Sequence, residues 1–194
     1  MKSEALSLIE FASLARGLRA LDALVKKAPV EILEANLVEP GKFLVLFTGG
    51  VAEVEESHAE ALHVGAAEVL GAMLLADAHP GLLRGLRGHA ACSSADEMDC
   101  LGVIEGRSIA ATLHAADRAL KDAYVALAGL RITGGLGGRA YFVVYGAQHD
   151  VEASIEAAEG ILGDACHSTE RIARPHAEMV AWLLRPAPFH LPQA

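Results

Sequence analysis

The chain of 194 residues carries a formal net charge of −9, and hydrophobic residues make up 53% of it while aromatic residues make up 5%. The acidic balance argues against a nucleic-acid-binding protein, which usually presents a basic face. No apolar run approaches the roughly 18 residues that a membrane helix needs, and the N-terminus lacks a signal-peptide pattern. We therefore expect a cytoplasmic protein that binds neither nucleic acid nor membrane and buries apolar surface between subunits.

The two halves of the chain repeat each other. Residues 6–10 match residues 101–105 at an offset of 95, and further along the offset becomes 97. The matched pairs include Asp22 with Asp117, Lys26 with Lys121, Gly41 with Gly138, Lys42 with Arg139 and His79 with His176. A register that holds across about 80 residues with one two-residue insertion predicts a tandem duplication of a small domain.

The first half is predicted to fold as β-α-β-β-α-β-α. Alternation at 5–11 predicts a short strand, and Ser13 can cap a helix that Pro29 terminates. The apolar residues at helical spacing in that helix are Leu14, Leu18, Leu21 and Val25. The other predicted elements are strands at 30–38 and 43–47 around a Pro40-Gly41 turn, a helix at 51–70, a strand at about 71–77 and a helix after Pro80.

The second half is predicted to repeat this order, so each half is an α+β domain with helices on a mostly antiparallel sheet. Its predicted elements are a strand at 101–107, a helix at 109–122, a strand at 124–133, a glycine loop at 134–138, a strand at 139–146, a helix at 149–162, a strand at 166–173 and a helix at 176–184. The predicted divisions of the chain are a first domain at 1–88, a linker at 89–100, a second domain at 101–185 and a proline-rich tail at 186–194.

The pattern LIEF-x-S, A-x-D-A-x-V-K-x-A-x-V, P-G-K and G-x-V-x-x-V, complete in the first half and matched in part in the second, resembles the bacterial microcompartment (BMC) domain. Two copies in one chain, each starting at the LIE-type strand, resemble the non-permuted tandem class of BMC shell proteins. The resemblance implies ferredoxin-like domains in a homotrimer shaped like a hexamer. It also implies a structural, non-enzymatic role in the shell of a cytoplasmic compartment, beside other BMC hexamers and pentameric vertex proteins, with a central pore for metabolites.

The resemblance also places residues at two kinds of site. The pore-lining residues would be Glu39, Pro40, Gly41, Gly134, Gly135, Leu136, Gly137 and Gly138. The residues at the edges between tiles would be Lys26, Lys121, Arg174, Pro175, His176 and His79. The Arg-Pro-His edge motif is intact in the second half, whereas the first half has Asp77-Ala78-His79 there, so the two edges are not expected to tile equally. Both lysines also end helices, where a cation suits the helix dipole.

The identity of residue 39 affects two expectations, namely whether an iron–sulfur cluster is bound and which ions the pore favours. In some tandem shell proteins that this chain resembles, a cysteine just before Pro-Gly-Lys holds an iron–sulfur cluster on the three-fold axis. Glu39 occupies that position here, and a carboxylate is a poor substitute for a thiolate, so we expect no cofactor. Three such carboxylates around an axis would instead favour cations over anions in the pore. The alternative is that Glu39 is a solvated loop residue whose side chain points away from the pore.

Motifs for catalysis and metal binding are incomplete. The G-x-G-x-x-A match at Gly135 precedes a strand, whereas a dinucleotide site needs a helix. Two H-x-E matches, at His58 and His176, lack the P-C-x-x-C partner of zinc deaminases. The three cysteines, Cys92, Cys100 and Cys166, are scattered. We therefore predict no enzyme and no metal site, and we expect the matched carboxylates Glu10 and Glu105 to hold the first strand against the rest of each domain.

Two other functions stay open from the residues. One is a small-ligand-binding or signalling oligomer built from ferredoxin-like domains, which would be a soluble oligomer that does not tile. The other is an electron-carrier shell protein, which would contain iron and conflicts with Glu39. Mass in solution, formation of sheets and iron content distinguish these hypotheses.

Overall fold

A computed structural model of the chain describes residues 5–88 and 98–184. The chain divides into two compact units, Met1–Ala78 and His79–Ala194. The division assigns residues 79–88 to the second unit, whereas the sequence analysis assigned them to the first domain. The predicted tail at 186–194 and most of the predicted linker lie outside the described residues.

The first unit is one antiparallel sheet with two helices packed on it. Its elements are β1 (Ala5–Phe11), α1 (Leu14–Lys27), β2 (Glu31–Val38), β3 (Lys42–Gly49), α2 (Val51–Gly65) and β4 (Val69–Leu75). The strand order is β2-β3-β1-β4, and every neighbouring pair is antiparallel. Because β1 and β3 are the central strands, every residue of β1 is buried, and the predicted α+β fold is confirmed.

The second unit repeats this architecture. Its elements are α3 (Pro80–Leu86), β5 (Cys100–Gly106), α4 (Ile109–Asp122), β6 (Ala126–Arg131), β7 (Ala140–Gly146), α5 (Gln148–Leu162), β8 (Cys166–Ala173) and α6 (Ala177–Leu183). The strand order β6-β7-β5-β8 matches that of the first unit, again with antiparallel pairs throughout. None of the helices in the described ranges is long and apolar enough to cross a bilayer.

The local signals for the first helix of each half act as predicted. The Ser13 hydroxyl accepts a hydrogen bond from the Arg16 N–H, and the Ser108 hydroxyl accepts one from the Ala111 N–H, each at 3.3 Å. These bonds satisfy backbone donors that the first turn of a helix leaves open. The helix α1 ends at Lys27, two residues before Pro29.

Two predicted boundaries are wrong. The second helix, predicted at 51–70, ends at Gly65, because Ala66 takes a positive φ of 47° and a 3-10 turn follows at Ala66–Glu68. Residues from Val69 onward then pair with β1, so β4 begins earlier than predicted. Cys100 opens β5, and Met98 just before it belongs to the same buried cluster as Leu101.

At three matching core positions, the two units carry large and small side chains in opposite places. In the first unit, Phe11 lies over Gly17 and Gly65, where an added Cβ would come within 3.2 and 2.6 Å of the ring. In the second unit, the position of Phe11 in the repeat is occupied by Gly106. There Thr112 and Leu162, which match the two glycines, fill the space instead. The first unit thus pairs one large residue with two small neighbours and the second unit pairs one small residue with two larger neighbours, so the filled volume is similar.

Candidate functional site

The first predicted pore loop is a tight, exposed turn between β2 and β3. The Gly41 N–H donates to the Val38 carbonyl at 2.9 Å and closes the turn. Gly41 has a φ of 101°, a conformation that side chains rarely adopt, and the Glu39–Pro40 peptide bond is cis. Glu39, Pro40 and Gly41 are all exposed, so the backbone holds the Glu39 carboxylate at the tip of a short and well-defined turn.

The second predicted pore loop joins β6 and β7 and is built from glycines. Gly134, Gly135, Gly137 and Gly138 have φ values of 91°, 86°, 60° and 85°. This run of positive φ values requires glycine, because a Cβ would collide with the backbone. The Leu136 carbonyl closes the loop by accepting from both the N–H and the Nε of Arg139, each at 3.2 Å.

An ion pair anchors the base of each loop. The Lys42 ammonium lies 2.7 Å from the carboxylate of Glu10, which is 1% exposed. In the second unit, Arg139 lies 3.5 Å from Glu105, and both of those side chains are about one-third exposed. Each pair links the residue after the loop to the first strand. Glu10 matches Glu105 and Lys42 matches Arg139 in the repeat, but the pairing between them was not predicted from the sequence.

The two predicted edge lysines occupy equivalent positions in different surroundings. Lys26 pairs with Asp22 at 2.6 Å on the exposed surface of α1. Lys121 pairs with Asp117 at 2.6 Å in α4, but there the carboxylate is buried. The solvent-exposed pair contributes little to stability, whereas the buried carboxylate of Asp117 restrains Lys121.

The structure brings two predicted edge residues of the second unit together through Asp117. One oxygen of this carboxylate accepts the hydrogen bond from the His79 N–H at 2.7 Å, and the other accepts from Lys121. The His79 side chain also caps α3, because its Nδ1 accepts from the Gly81 N–H at 3.1 Å. Sequence reasoning could not find the first bond, since its donor is a backbone group.

The Arg-Pro-His motif forms the corner between β8 and α6. Arg174 has a positive φ of 48°, and its N–H donates to the Asp99 carbonyl at 2.7 Å. Pro175 follows, and His176 caps α6 by accepting from the Glu178 N–H at 3.3 Å. The strained backbone at Arg174 therefore sets the direction of α6.

Burial shifts the pKa of three further titratable side chains. The Ser7 hydroxyl and His58 Nδ1 lie 2.8 Å apart, and burial lowers the pKa of His58. Burial raises the pKa of the Cys100 and Cys166 thiols, which makes both poor nucleophiles at neutral pH. Within residues 5–88 and 98–184, no three His, Cys, Asp or Glu side chains are placed to hold a metal ion.

The repeated sheet order and the matching helices define a tandem α+β protein, and comparison with known proteins gives its family. The model of the BMC domain matches residues 5–78 and 100–175. The chain therefore belongs to the BMC family and carries two BMC domains in tandem, as a shell protein of bacterial microcompartments.

Similar proteins agree with this assignment. The chain is 32% identical to the bacterial microcompartment shell protein PduT of Citrobacter freundii over 179 residues, which covers 91% of this chain and 96% of that protein. It is 40% identical to the carboxysome shell protein CcmK2 of Synechocystis over 83 residues, which covers 41% of this chain and 79% of that protein.

Solved structures show the same fold. A microcompartment protein from Desulfitobacterium hafniense matches with a TM-score of 0.80 and 35% identity, over 90% of this chain and 96% of that one. A fused permuted hexameric shell protein from the RMM microcompartment matches with a TM-score of 0.56 and 20% identity, over 84% and 85% of the two chains. The second likeness concerns the fold alone.

Proposed function

We propose that three copies of this chain form a closed homotrimer shaped like a hexamer, which tiles a facet of the microcompartment shell. The observation that carries the proposal is the duplication itself. Each chain supplies two domains of the same fold, each with a loop and an edge at equivalent positions. A trimer then presents six similar domains, which suits tiling beside hexameric BMC proteins and closure by pentameric vertex proteins. The role is structural, without catalysis.

The proposed trimer has a central pore lined by the turn at 39–41 and the glycine loop at 134–138. Short loops anchored by ion pairs suit this position, because the turn at 39–41 and the glycines at 134, 135 and 137 are exposed and the shape of each loop is defined. Three Glu39 carboxylates around the axis would give the pore a negative field that favours cations and disfavours anions. The barrier and its selective passage are together the proposed function.

The proposed tile edges carry Lys26, Lys121, the corner at Arg174–His176 and His79. Lys26 has its stem free to lie along a neighbouring tile, since its side chain and that of Asp22 are mostly exposed. Lys121 is held by the buried Asp117. The Arg-Pro-His motif is intact only at Arg174–His176, whereas Asp77-Ala78-His79 occupies the matching place in the first half, so the two kinds of edge are proposed to contribute unequally to tiling.

The test is mass in solution by light scattering, followed by electron microscopy of the same sample. We expect a mass of roughly 61 kDa, three times the 20.3 kDa of one chain, and flat sheets or tubes in the images. The variant Lys26→Ala is expected to keep the trimer mass and lose sheets. A stable monomer would overturn the proposal, and a trimer that never forms sheets would favour a ligand-binding oligomer.

A further inference from the structure

The matched helices α1 and α4 differ sharply in burial. Each has 14 residues. Three apolar residues of α1 are exposed, namely Leu14 at 41%, Leu18 at 50% and Val25 at 44%. Their matches in α4 are buried, namely Ile109 at 0%, Leu113 at 0% and Leu120 at 5%. The chain thus covers an apolar helix face in one half and leaves the matching face open in the other.

The second unit shows part of what covers the closed face. The helix α3 packs against α4 and β6, and the His79 N–H at its start bonds to Asp117 at 2.7 Å. A Cβ on Gly81 would lie 3.6 Å from Leu120, in ordinary contact. Gly85, one turn further on, lies directly on the side chain of Leu127, with Leu130 beside it.

The repeat identifies the residues that match this contact in the other half of the chain. In the single chain these matching residues are exposed to solvent. The helix α6 matches α3, with Trp182 in the place of Gly85, and His176 caps α6 as His79 caps α3. Asp22 matches Asp117, but its side chain is 62% exposed rather than 5%. Trp182, the one tryptophan of the chain, is 59% exposed, whereas tryptophan side chains are on average largely buried.

From these matches we infer that α6 of one copy docks on the α1–β2 surface of a second copy, as α3 docks on α4 and β6. The His176 N–H would then donate to Asp22 of the second copy, and Trp182 would cover the apolar face of α1 and β2. This inference rests on the proposed self-association and specifies the surfaces that make it.

The sizes of the contacting side chains are complementary. Strand pairing matches Ile32 with Leu127 and Ala35 with Leu130, because each pair lies opposite equivalent residues of β3 and β7. Where the second unit places Gly85 against two leucines, the proposed contact places Trp182 against an isoleucine and an alanine. A larger residue on one side meets a smaller surface on the other, so the alanine offsets part of the volume that the tryptophan adds.

The contact is heterologous, because the donor helix and the acceptor surface are different parts of the chain. Each copy has one donor and one acceptor, so association proceeds head to tail and ends when a ring closes. A central tryptophan is the side chain most often found to dominate such contacts.

The experiment uses two full-length variants that each disable one side. Trp182→Glu removes the donor, and Val25→Glu removes the acceptor. Each variant alone is expected to weaken association at least about thirtyfold and to run as a monomer by light scattering. Trp182→Phe, which keeps the apolar contact, and Tyr124→Ala, which removes a fully exposed aromatic elsewhere, are expected to remain trimers. Circular dichroism checks that all four variants are folded.

Mixing the two disabled variants gives the decisive result. One intact donor and one intact acceptor remain in the mixture, so it should form a two-chain species of about 41 kDa, twice 20.3 kDa, that grows no further. Folded single variants that stay trimers while the wild type is a trimer would overturn this inference and leave the proposed function intact. A wild type that is monomeric would overturn both.

Discussion

His58 is the residue whose environment makes stability depend on pH. Burial lowers its pKa below the ordinary 6.5, while its ring bonds to the buried Ser7. The unfolded chain therefore binds a proton more readily than the folded chain does. The contribution of this group to stability is complete above about pH 6.5 and is lost as the pH falls from there toward the lowered pKa.

We expect the double variant Ser7→Gly, His58→Ile to remove this pH dependence. Gly102 and Ile155 occupy the matching positions in the second unit, so the substitution copies a pair that already packs there. The measurement is the thermal midpoint of unfolding between pH 7.5 and 5.5, where the wild type should lose more than the variant. His63→Gln, which removes an exposed histidine from the same helix, is the control and should keep the wild-type slope. An unchanged slope in the double variant would assign the pH effect to other groups.

Replacing the cation of each loop-base ion pair by methionine is expected to lower the free energy of unfolding by different amounts. Lys42→Met leaves the almost fully buried Glu10 without its cation, and breaking such a pair costs about 3 kcal/mol or more. Arg139→Met affects a partly exposed pair and should cost within about 1 kcal/mol. Thermal midpoints compared at one chain concentration should fall by at least about 6 °C for the first variant and by less than about 4 °C for the second. Equal losses would mean that burial of Glu10 does not decide the cost.

At the scale of elements, Ala66 ends α2 in a conformation that suits glycine. Its φ and ψ are 47° and −123°, and the match in the second unit is Gly163 at 48° and −125°. A Cβ at Gly163 would touch nothing within 4 Å, so a change at this position acts on backbone conformation rather than on packing.

We therefore expect opposite effects from reciprocal substitutions. Ala66→Gly should stabilise the chain by about 1 kcal/mol, and Gly163→Ala should destabilise it by a similar amount. Thermal midpoints should rise by about 2–4 °C and fall by about 2–4 °C, respectively. A loss of stability in both variants would contradict the explanation by backbone strain.

The same pair of residues shows where sequence reasoning succeeds and where it stops. Gly163 marks the end of α5, and the predicted end at residue 162 is correct. At the matching position in the first half, alanine favours helix and gives no sign of the turn, so α2 was predicted five residues too long. The strands Ala5–Phe11 and Cys166–Ala173 have the predicted bounds.

Periodicity found α1 but not what its apolar face contacts. Leu14, Leu18 and Val25 predict a helix correctly, yet they are exposed in the single chain. The sequence pattern of an apolar helix face is the same whether that face packs on the chain's own sheet or on another molecule. The edge network at Asp117 was missed for a related reason, since the His79 donor is a backbone N–H that no side-chain pattern reports.

At the scale of the whole molecule, the proposed pore predicts a change in ion selectivity. Glu39→Gln removes three carboxylates from a trimer without changing the shape of the turn, whose closing bond is made by backbone atoms. We expect passage of small anions through assembled shells to rise several-fold, with cation passage reduced. Glu34→Gln, a change outside the turn, is the matched control. Equal anion passage before and after Glu39→Gln would show that the carboxylate points away from the pore.

The opposite filling of the two cores also bears on how a duplicated chain folds. Tandem repeats risk exchanging equivalent segments while both are still forming, and such misassembly is a common fault of multidomain chains. Here the ring of Phe11 in the second core would meet Thr112 and Leu162, and Gly106 in the first core would leave a hole over two glycines. A first strand that enters the wrong half is thus penalised by a collision or by a void, and each half selects its own strand.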